Sequence, residues 1–213
     1  MHLLSINSAV ATELEIGNKT VTSGIFKEPL SGDVQISEFG VEGDTIVDTN
    51  VHGGEDQALY LYSAADYTWW SKQLGGQLSP GTFGENLTIS DFHAGELRIG
   101  DQLKIGDAVL LEITAPRVPC VKFAAKMGDP KFVKQFVAAQ RPGAYARVIR
   151  AGTISAGAPI EWRPTEQDYA SVKEVFVQWH QKAWHPDAVK RALHSPISKI
   201  ARGIIEKRTG VSS

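Results

Sequence analysis

The sequence predicts a mainly β protein of the α+β class, in which a closed β-barrel precedes a small C-terminal three-helix domain. Short apolar runs recur between glycine-rich turn signals up to residue 163, and beyond that point apolar residues recur at helical spacing. Closure into a barrel is expected because it removes the exposed edges of a sheet made of many short strands. We therefore predict a barrel domain over residues 1–163 and a helical domain over residues 164–213.

The clearest predicted hairpin is LRIGDQLKIGDAVLLEIT, residues 97–114. Alternating apolar residues flank its GDA turn, where Gly106 can adopt a positive φ without steric cost. Two helices are expected to interrupt the strands. One covers residues 64–74 with Ser63 as its N-cap, and the other covers residues 129–140 and ends before a proline.

Three helices are predicted after Pro164. Thr165 and Asp168 have the spacing of a capping box for the first, and Pro186 occupies the favoured first position of the second. Ser195-Pro196 is expected to open the third helix. Its apolar stripe consists of Ile197, Ile200, Ala201, Ile204 and Ile205.

Composition excludes several classes of function. The chain has 213 residues, 42% of them hydrophobic, and a net charge of -2, which gives no indication of nucleic-acid binding. Its single cysteine permits no internal disulfide, CxxC zinc site or self-ligated iron–sulfur cluster. The first 20 residues lack the features of a signal peptide, and no run approaches the length of a membrane span. We expect a cytoplasmic protein with no membrane association.

Cys120 is the first candidate for chemistry. It follows a predicted strand in PRVPC, where Pro116 and Pro119 keep the backbone extended and stiff. The neighbouring cations Arg117 and Lys122 favour the thiolate form of the side chain. The alternative is a buried structural cysteine, which is common for a lone cysteine in a globular protein.

His52 is the second candidate, because Gly53 and Gly54 follow it in VHGGEDQALYLY. Two glycines permit a tight turn and leave backbone N–H groups accessible to a ligand. A histidine that merely caps a loop is the alternative. In the nearby GVEGD, Glu42 can serve as an acid or a base, but a carboxylate beside glycine more often accepts hydrogen bonds within a turn.

Further polar candidates lie in three other short segments. GTFGENLTI, residues 81–89, presents Thr82 and Asn86 in a glycine-rich turn that could hold an anion. GIFKEP places Lys27 at a strand end, and RPGAYARVI offers Arg147, where each basic side chain could equally be an ordinary surface charge. No single segment is specific, so the prediction depends on their order and combination.

Together, GVEGD, HGG, FGENLT, PRVPC and GAYARVI resemble the motifs of the MOSC domain, a module shared with the C-terminal part of molybdenum cofactor sulfurases. GIFKEP and the three-helix segment make the chain most similar to the YiiM group, MOSC proteins with a C-terminal three-alpha domain. The resemblance extends over roughly residues 20 to 208. It implies a MOSC-type β-barrel.

The MOSC resemblance also implies a cofactor and a reaction. Cys120 corresponds to the family cysteine, a proposed thiolate ligand to molybdenum in the molybdenum cofactor (molybdopterin). Members similar to YiiM reduce N-hydroxylated compounds such as 6-hydroxylaminopurine to the amine. The phosphate of the cofactor needs cations or backbone amides as binding partners. The reaction also needs a proton donor, and His52 or Glu42 suits that role. The candidates for binding the cofactor are Lys27, Gly53, Gly54, Thr82, Asn86, Arg117, Lys122 and Arg147.

The sequence contains no dinucleotide fingerprint and too few cysteines for a cluster, so an external flavin or iron–sulfur reductase is expected to donate electrons. A homodimer is compatible with the five tryptophans. Two alternatives remain open. The chain could carry molybdenum cofactor without catalysis, or Cys120 could carry sulfur as a persulfide, although no pyridoxal-phosphate domain is present to generate that sulfur.

Overall fold

The protein is described by a computed structural model over residues 1–45 and 54–211, which contain thirteen strands and six helices. The strands are β1 (Leu3–Ser8), β2 (Thr12–Ile16), β3 (Lys19–Ser23), β4 (Glu28–Pro29), β5 (Val34–Ser37), β6 (Gly40–Val41), β7 (Leu59–Ser63), β8 (Leu87–Ile89), β9 (Gln102–Ile105), β10 (Val109–Ala115), β11 (Ala144–Arg150), β12 (Gly152–Ile154) and β13 (Ile160–Arg163). The helices are α1 (Ala64–Leu74), α2 (Val121–Lys126), α3 (Phe132–Ala139), α4 (Val172–Trp179), α5 (Pro186–His194) and α6 (Lys199–Thr209).

Eight of these strands form the main sheet in the order β13-β9-β10-β11-β7-β8-β1-β4. Within it, β7 and β8 are parallel and the other neighbours are antiparallel. A three-stranded sheet, β12-β5-β6, and the hairpin β2-β3 complete the β structure. The mainly β, mixed α and β class predicted from the sequence is therefore confirmed.

The prediction of a closed barrel is wrong. In the described part of the chain the main sheet ends at β13 and β4, and its two sides meet only through the isolated bridge between His2 and Pro159 and adjoining backbone hydrogen bonds. Pro159 has no N–H to donate, so a regular ladder cannot continue through this position. The edge strand β4 contains Pro29, which limits further pairing in the same way.

The helices of the first part lie close to their predicted positions. α1 begins after Ser63, whose hydroxyl accepts a hydrogen bond from the Ala65 N–H as the N-cap prediction requires. α3 is shorter than predicted and covers Phe132–Ala139. In the β9–β10 hairpin Gly106 has a φ of 53°, which confirms the expected left-handed turn position.

The three C-terminal helices are present, but two begin later than expected. The Thr165–Asp168 capping box does not form. Instead Ser171 caps α4 by accepting from the N–H of Glu174. The third helix begins after Ser198 rather than at Ser195-Pro196, because the Ser198 hydroxyl accepts the N–H of Ala201. The competing serines explain both shifts.

The larger hydrophobic cluster of the described residues joins the sheet to these helices. Buried Leu103 and Leu111 of the sheet belong to the same cluster as Val175, Leu193 and Ile205 of the helices. Burial of this shared apolar surface stabilises the packing of the short helices, which could not bury much surface alone. No helix in residues 1–45 or 54–211 combines the length and the hydropathy needed to cross a membrane.

Candidate functional site

The site is built around Cys120, at the junction between β10 and α2. The strand ends at Ala115, and the Pro116–Pro119 segment leads to Cys120, which has extended φ and ψ values of -129° and 174° and is the N-cap residue of α2. Its side chain is partly exposed and packs at the margin of a cluster of aromatic residues. The predicted position after a strand and before a helix is confirmed. The thiol is not sealed in the hydrophobic interior.

The aromatic cluster lies beside Cys120 and is separate from the main core. Its rings contact one another edge-to-face and by stacking, for example Tyr62 with Phe83 at 4.5 Å between ring centroids. Buried hydroxyls are satisfied by fixed partners, as when Tyr60 and Tyr62 donate to the carbonyls of Pro142 and Arg141. The buried members are Tyr60, Tyr62, Tyr67, Trp70, Phe83, Phe123, Phe132, Phe136 and Phe176.

Arg117 places a positive charge inside this aromatic cluster. The residue is only 5% exposed, and its guanidinium lies 3.7 Å from the centroid of the Phe123 ring. Its Nη1 is buried and has no hydrogen-bond partner, and no ion pair joins it to a carboxylate of the described residues. A buried guanidinium without a counter-charge is costly, so the arrangement suits an anionic ligand.

Tyr145 connects Arg117 electrostatically with Cys120. This residue lies on β11, and its ring is 5.2 Å from that of Tyr60. Burial raises the pKa of the Tyr145 hydroxyl, the Arg117 charge opposes the rise, and the Cys120 side chain adds to it. Tyr145 therefore interacts with both residues. The GAYARVI motif contains this tyrosine, but the sequence does not show which way its side chain points.

Lys126 adds a second, partly buried cation from the last turn of α2. Its Nζ donates to the carbonyls of Ile25 at 2.8 Å and Gly81 at 2.6 Å. Burial lowers its pKa to about 8, and the charges of Arg117 and Lys27 act in the same direction. Sequence reasoning missed Lys126, although its position six residues after Cys120 is one signal that could have suggested it.

Lys27 is buried in an ion pair rather than exposed at a strand end. Its Nζ lies 2.6 Å from both carboxylate oxygens of Asp44. Burial lowers the pKa of Lys27 and the Asp44 charge opposes that effect. Asn86 completes the arrangement by donating to Asp44 at 2.8 Å and accepting from the Tyr60 N–H at 3.1 Å. These contacts join the GIFKEP, GVEGD and FGENLT motifs.

Glu85 of the same turn is fully buried. Its Oε1 accepts from the Tyr67 hydroxyl at 2.5 Å, the Gly81 N–H at 2.7 Å and the Thr88 hydroxyl at 2.8 Å. Its Oε2 has no hydrogen-bond partner, and burial raises the pKa of the carboxyl group. Thr82 donates to the Ser79 carbonyl at 2.6 Å. The polar residues of this turn thus stabilise its shape.

Two predicted site residues lie apart from these contacts. Arg147 forms ion pairs with Asp56 at 3.0 Å and Glu112 at 3.2 Å and donates to the carbonyl of Pro196 at 2.8 Å. Its charge is balanced by carboxylates, unlike that of Arg117. Glu42 is exposed to solvent.

The remaining predictions concern the glycine turn and α2. His52 and Gly53 lie outside the described residues. Gly54 has a φ of 73° and precedes a 3₁₀ turn at Glu55–Gln57, as expected of a position that favours glycine. Lys122 is half-buried on α2, two residues after Cys120.

Comparison with known proteins identifies related chains. The family model of the MOSC domain matches residues 48–161. YflK of Bacillus subtilis is 36% identical over 159 residues, which are 75% of this chain and 72% of YflK. A protein of Gibberella moniliformis named Reductase is 34% identical over 140 residues, which are 64% of this chain but 25% of that protein. The crystal structure of YiiM from Geobacillus stearothermophilus has a TM-score of 0.78 at 27% identity and covers 97% of this chain and 98% of its own.

The chain therefore belongs to the MOSC domain family, whose members are associated with molybdenum cofactor binding. Within that family it is similar to YiiM over nearly its full length, including the C-terminal helices. The family and the group expected from the sequence motifs are both confirmed.

Proposed function

We propose that this protein binds molybdenum cofactor beside Cys120 and uses it to reduce N-hydroxylated compounds such as 6-hydroxylaminopurine. The observation that carries the proposal is the buried guanidinium of Arg117, which lacks a carboxylate partner among the described residues and is coupled through Tyr145 to Cys120. A thiol and an uncompensated cation side by side fit a ligand that has both a soft metal and a phosphate.

Each of these residues has a defined part in the proposed site. The Cys120 sulfur is the ligand to molybdenum, since soft thiolates suit such a metal. Arg117 offers Nη1 to an anionic oxygen of the cofactor through a charge-assisted hydrogen bond. Tyr145 orients Arg117 through a side-chain hydrogen bond and interacts electrostatically with Cys120. The Lys27–Asp44–Asn86 contacts fix the turn beside them.

When bound, the cofactor supplies two-electron redox chemistry. The overall reaction is R–NH–OH + 2 H⁺ + 2 e⁻ → R–NH₂ + H₂O, so the chain must deliver protons. Lys126 is suited to hold one on Nζ, because burial lowers its pKa to about 8, close to neutral pH. His52 and Glu42 are the proton donors expected from the sequence; the first lies outside the described residues and the second is exposed.

The proposal is tested by turnover with an artificial electron donor. Protein purified from cells that synthesise the cofactor is incubated with 6-hydroxylaminopurine and a reduced viologen dye, and formation of adenine is followed. The proposal predicts adenine with wild-type protein and none with Cys120→Ala. Cofactor-loaded wild-type protein that forms no adenine would contradict the reductase proposal and favour a cofactor carrier.

A further inference from the structure

A recess lies among the C-terminal helices. It has a volume of about 820 Å³ and is bordered by α4, α5 and α6 together with the loop at residues 180–185. Its lining includes Trp179, His180, Lys182, Trp184, Lys190 and Arg208. We call this recess the helical groove. None of the cofactor-binding candidates within residues 1–45 and 54–211 lines it.

The charges of the helical groove have one sign. Lys182, Lys190 and Arg208 line it, and no aspartate or glutamate is among its lining residues in the described part of the chain. Both lysines are exposed. The segment from Thr165 onward carries eight Lys and Arg against five Asp and Glu, while the preceding residues carry a net charge of -5. The groove is therefore a local basic surface on an acidic protein.

Two tryptophans give the helical groove apolar surface. The rings of Trp179 and Trp184 meet edge-to-face with 6.2 Å between centroids, and Arg208 lies 5.4 Å from the Trp179 ring. Arg208 also donates to the Trp179 carbonyl at 2.8 Å, which fixes its side chain. The Nε1 of Trp184 is buried without a hydrogen-bond partner. Tryptophan and arginine together are typical of the energetic centre of a protein–protein interface.

A continuous row of aromatic rings connects this groove with the candidate site. His180 lines the groove and contacts Phe176 at 4.8 Å between ring centroids. Phe176 packs on Phe136 at 6.2 Å, and Phe136 packs on Phe123 at 5.1 Å. Phe123 is the ring that underlies Arg117 and lies three residues after Cys120. The groove and the site are therefore two ends of one packed aromatic layer.

We propose that the helical groove is the docking site for the acidic face of an electron-donor protein. This proposal rests on the proposed reductase function, which needs two electrons from outside the chain. Charge complementarity would steer an acidic donor to the groove. Docking there would also bring the donor to the aromatic layer that ends beside Cys120.

An acidic protein suits the groove better than a nucleic acid does. The positive charges are confined to a recess with two indole rings, whereas a nucleic acid needs a basic stripe along the phosphate backbone. The rest of the chain is net negative and would repel an extended polyanion.

The proposal is tested with full-length protein and an acidic plant-type [2Fe–2S] ferredoxin as the probe. We compare K182E/K190E with K19E/K134E, which changes the net charge equally at exposed lysines outside the groove. Binding is measured by calorimetry at low and at physiological salt. The groove variant is expected to weaken binding about tenfold or more, and the control variant by less than about twofold. Wild-type affinity should fall as salt rises.

Several results would overturn the docking proposal. One is equal ferredoxin binding by both double variants. Another is tighter binding of short duplex DNA than of ferredoxin by the wild-type protein. A third is self-association that K182E/K190E abolishes. A Lys182→Ala/Lys190→Ala variant, which adds no negative charge, should show a smaller loss in the same direction.

Turnover separates this proposal from the proposed function. With reduced viologen as donor, cofactor-loaded K182E/K190E should form adenine at the wild-type rate, because a dye needs no docking site. With reduced ferredoxin its rate should fall about tenfold. If wild-type protein fails with the dye, the reductase function is wrong. If the dye supports adenine formation and reduced ferredoxin gives K182E/K190E and K19E/K134E the same rate, the docking proposal is wrong.

Discussion

Arg117 lies with its guanidinium 3.7 Å from the ring centroid of Phe123, and this aromatic contact takes the place of an ion pair. A cation over a ring gains about 1–2 kcal/mol, which is less than the cost of removing a guanidinium from water. Since no carboxylate of the described residues pairs with Arg117, this side chain is expected to destabilise the cofactor-free protein and to hold a charge ready for an anionic ligand.

Replacing Arg117 with methionine is expected to leave the free energy of unfolding of the cofactor-free protein unchanged or to raise it. Methionine fills the space and removes an uncompensated buried charge. Unfolding is measured in urea, with and without inorganic phosphate. Phosphate should stabilise the wild type and not the variant. A large loss of stability in phosphate-free buffer would contradict this account of Arg117.

Arg141 provides a matched control because its charge is paired. It forms an ion pair with Asp66, whose side chain is almost fully buried. Burial raises the pKa of Asp66 and Arg141 opposes that rise. Arg141→Met should therefore destabilise the protein by about 2 kcal/mol, since it leaves a buried carboxyl group without its partner.

Lys126 should make stability depend on pH in the alkaline range. Its pKa falls from an ordinary 10.5 to about 8 in the folded protein. Between these values the unfolded chain binds more protons than the folded one, so the free energy of unfolding rises with pH. Lys126→Met should flatten that rise in urea titrations from pH 7.5 to 9.5. The exposed Lys134→Met should retain the wild-type slope, and an unaltered slope in Lys126→Met would refute the assignment.

Glu85 is expected to matter through its hydrogen bonds rather than through a negative charge. Oε1 accepts three of them, and burial raises the pKa of the carboxyl group. Glu85→Ala should cost about 3 kcal/mol, because three buried donors lose their acceptor. Glu85→Gln retains an acceptor oxygen and should cost clearly less. Equal losses in thermal unfolding would show that charge is what the position requires.

Gly81 has a φ of 85°, and a Cβ there would lie 2.2 Å from the carbonyl oxygen of Lys27. Its own carbonyl accepts from Lys126. Gly81→Ala should therefore destabilise the protein by more than about 2 kcal/mol. Gly157→Ala is the control, because Gly157 has a similar φ of 90° but no atom within 4 Å of the added Cβ. Its cost should be about 1 kcal/mol. Equal losses of stability in chemical denaturation would indicate that backbone strain alone, and not the close contact at Gly81, sets the cost of both substitutions.

Local patterns in the sequence predicted the elements well where one signal dominated. Ser63 caps α1, and Gly106 turns the β9–β10 hairpin, as expected. The pattern failed where two signals competed, because Ser171 rather than Thr165 caps α4. Barrel closure could not be judged from the sequence, since it depends on how far His2 and Pro159 pair across the ends of the sheet.

The candidate site could be predicted only where its residues are neighbours in the sequence. Motif order located Cys120 and Arg117 in one segment. Only two residues lie between them, so the two side chains must be close in space. The burial of Lys27 against Asp44 and of Lys126 against two carbonyls arises from contacts between distant segments. Periodicity and composition contain no information on such pairings.

The proposed role of Cys120 is tested most directly by the molybdenum content of purified protein. Wild-type protein and Cys120→Ala are prepared from the same cofactor-producing cells, and molybdenum per chain is measured by mass spectrometry. We expect metal in the wild type and nearly none in the variant, with both proteins unfolding at similar temperatures because the side chain is partly exposed. Equal molybdenum in the two proteins would contradict the assignment of Cys120 as the metal ligand.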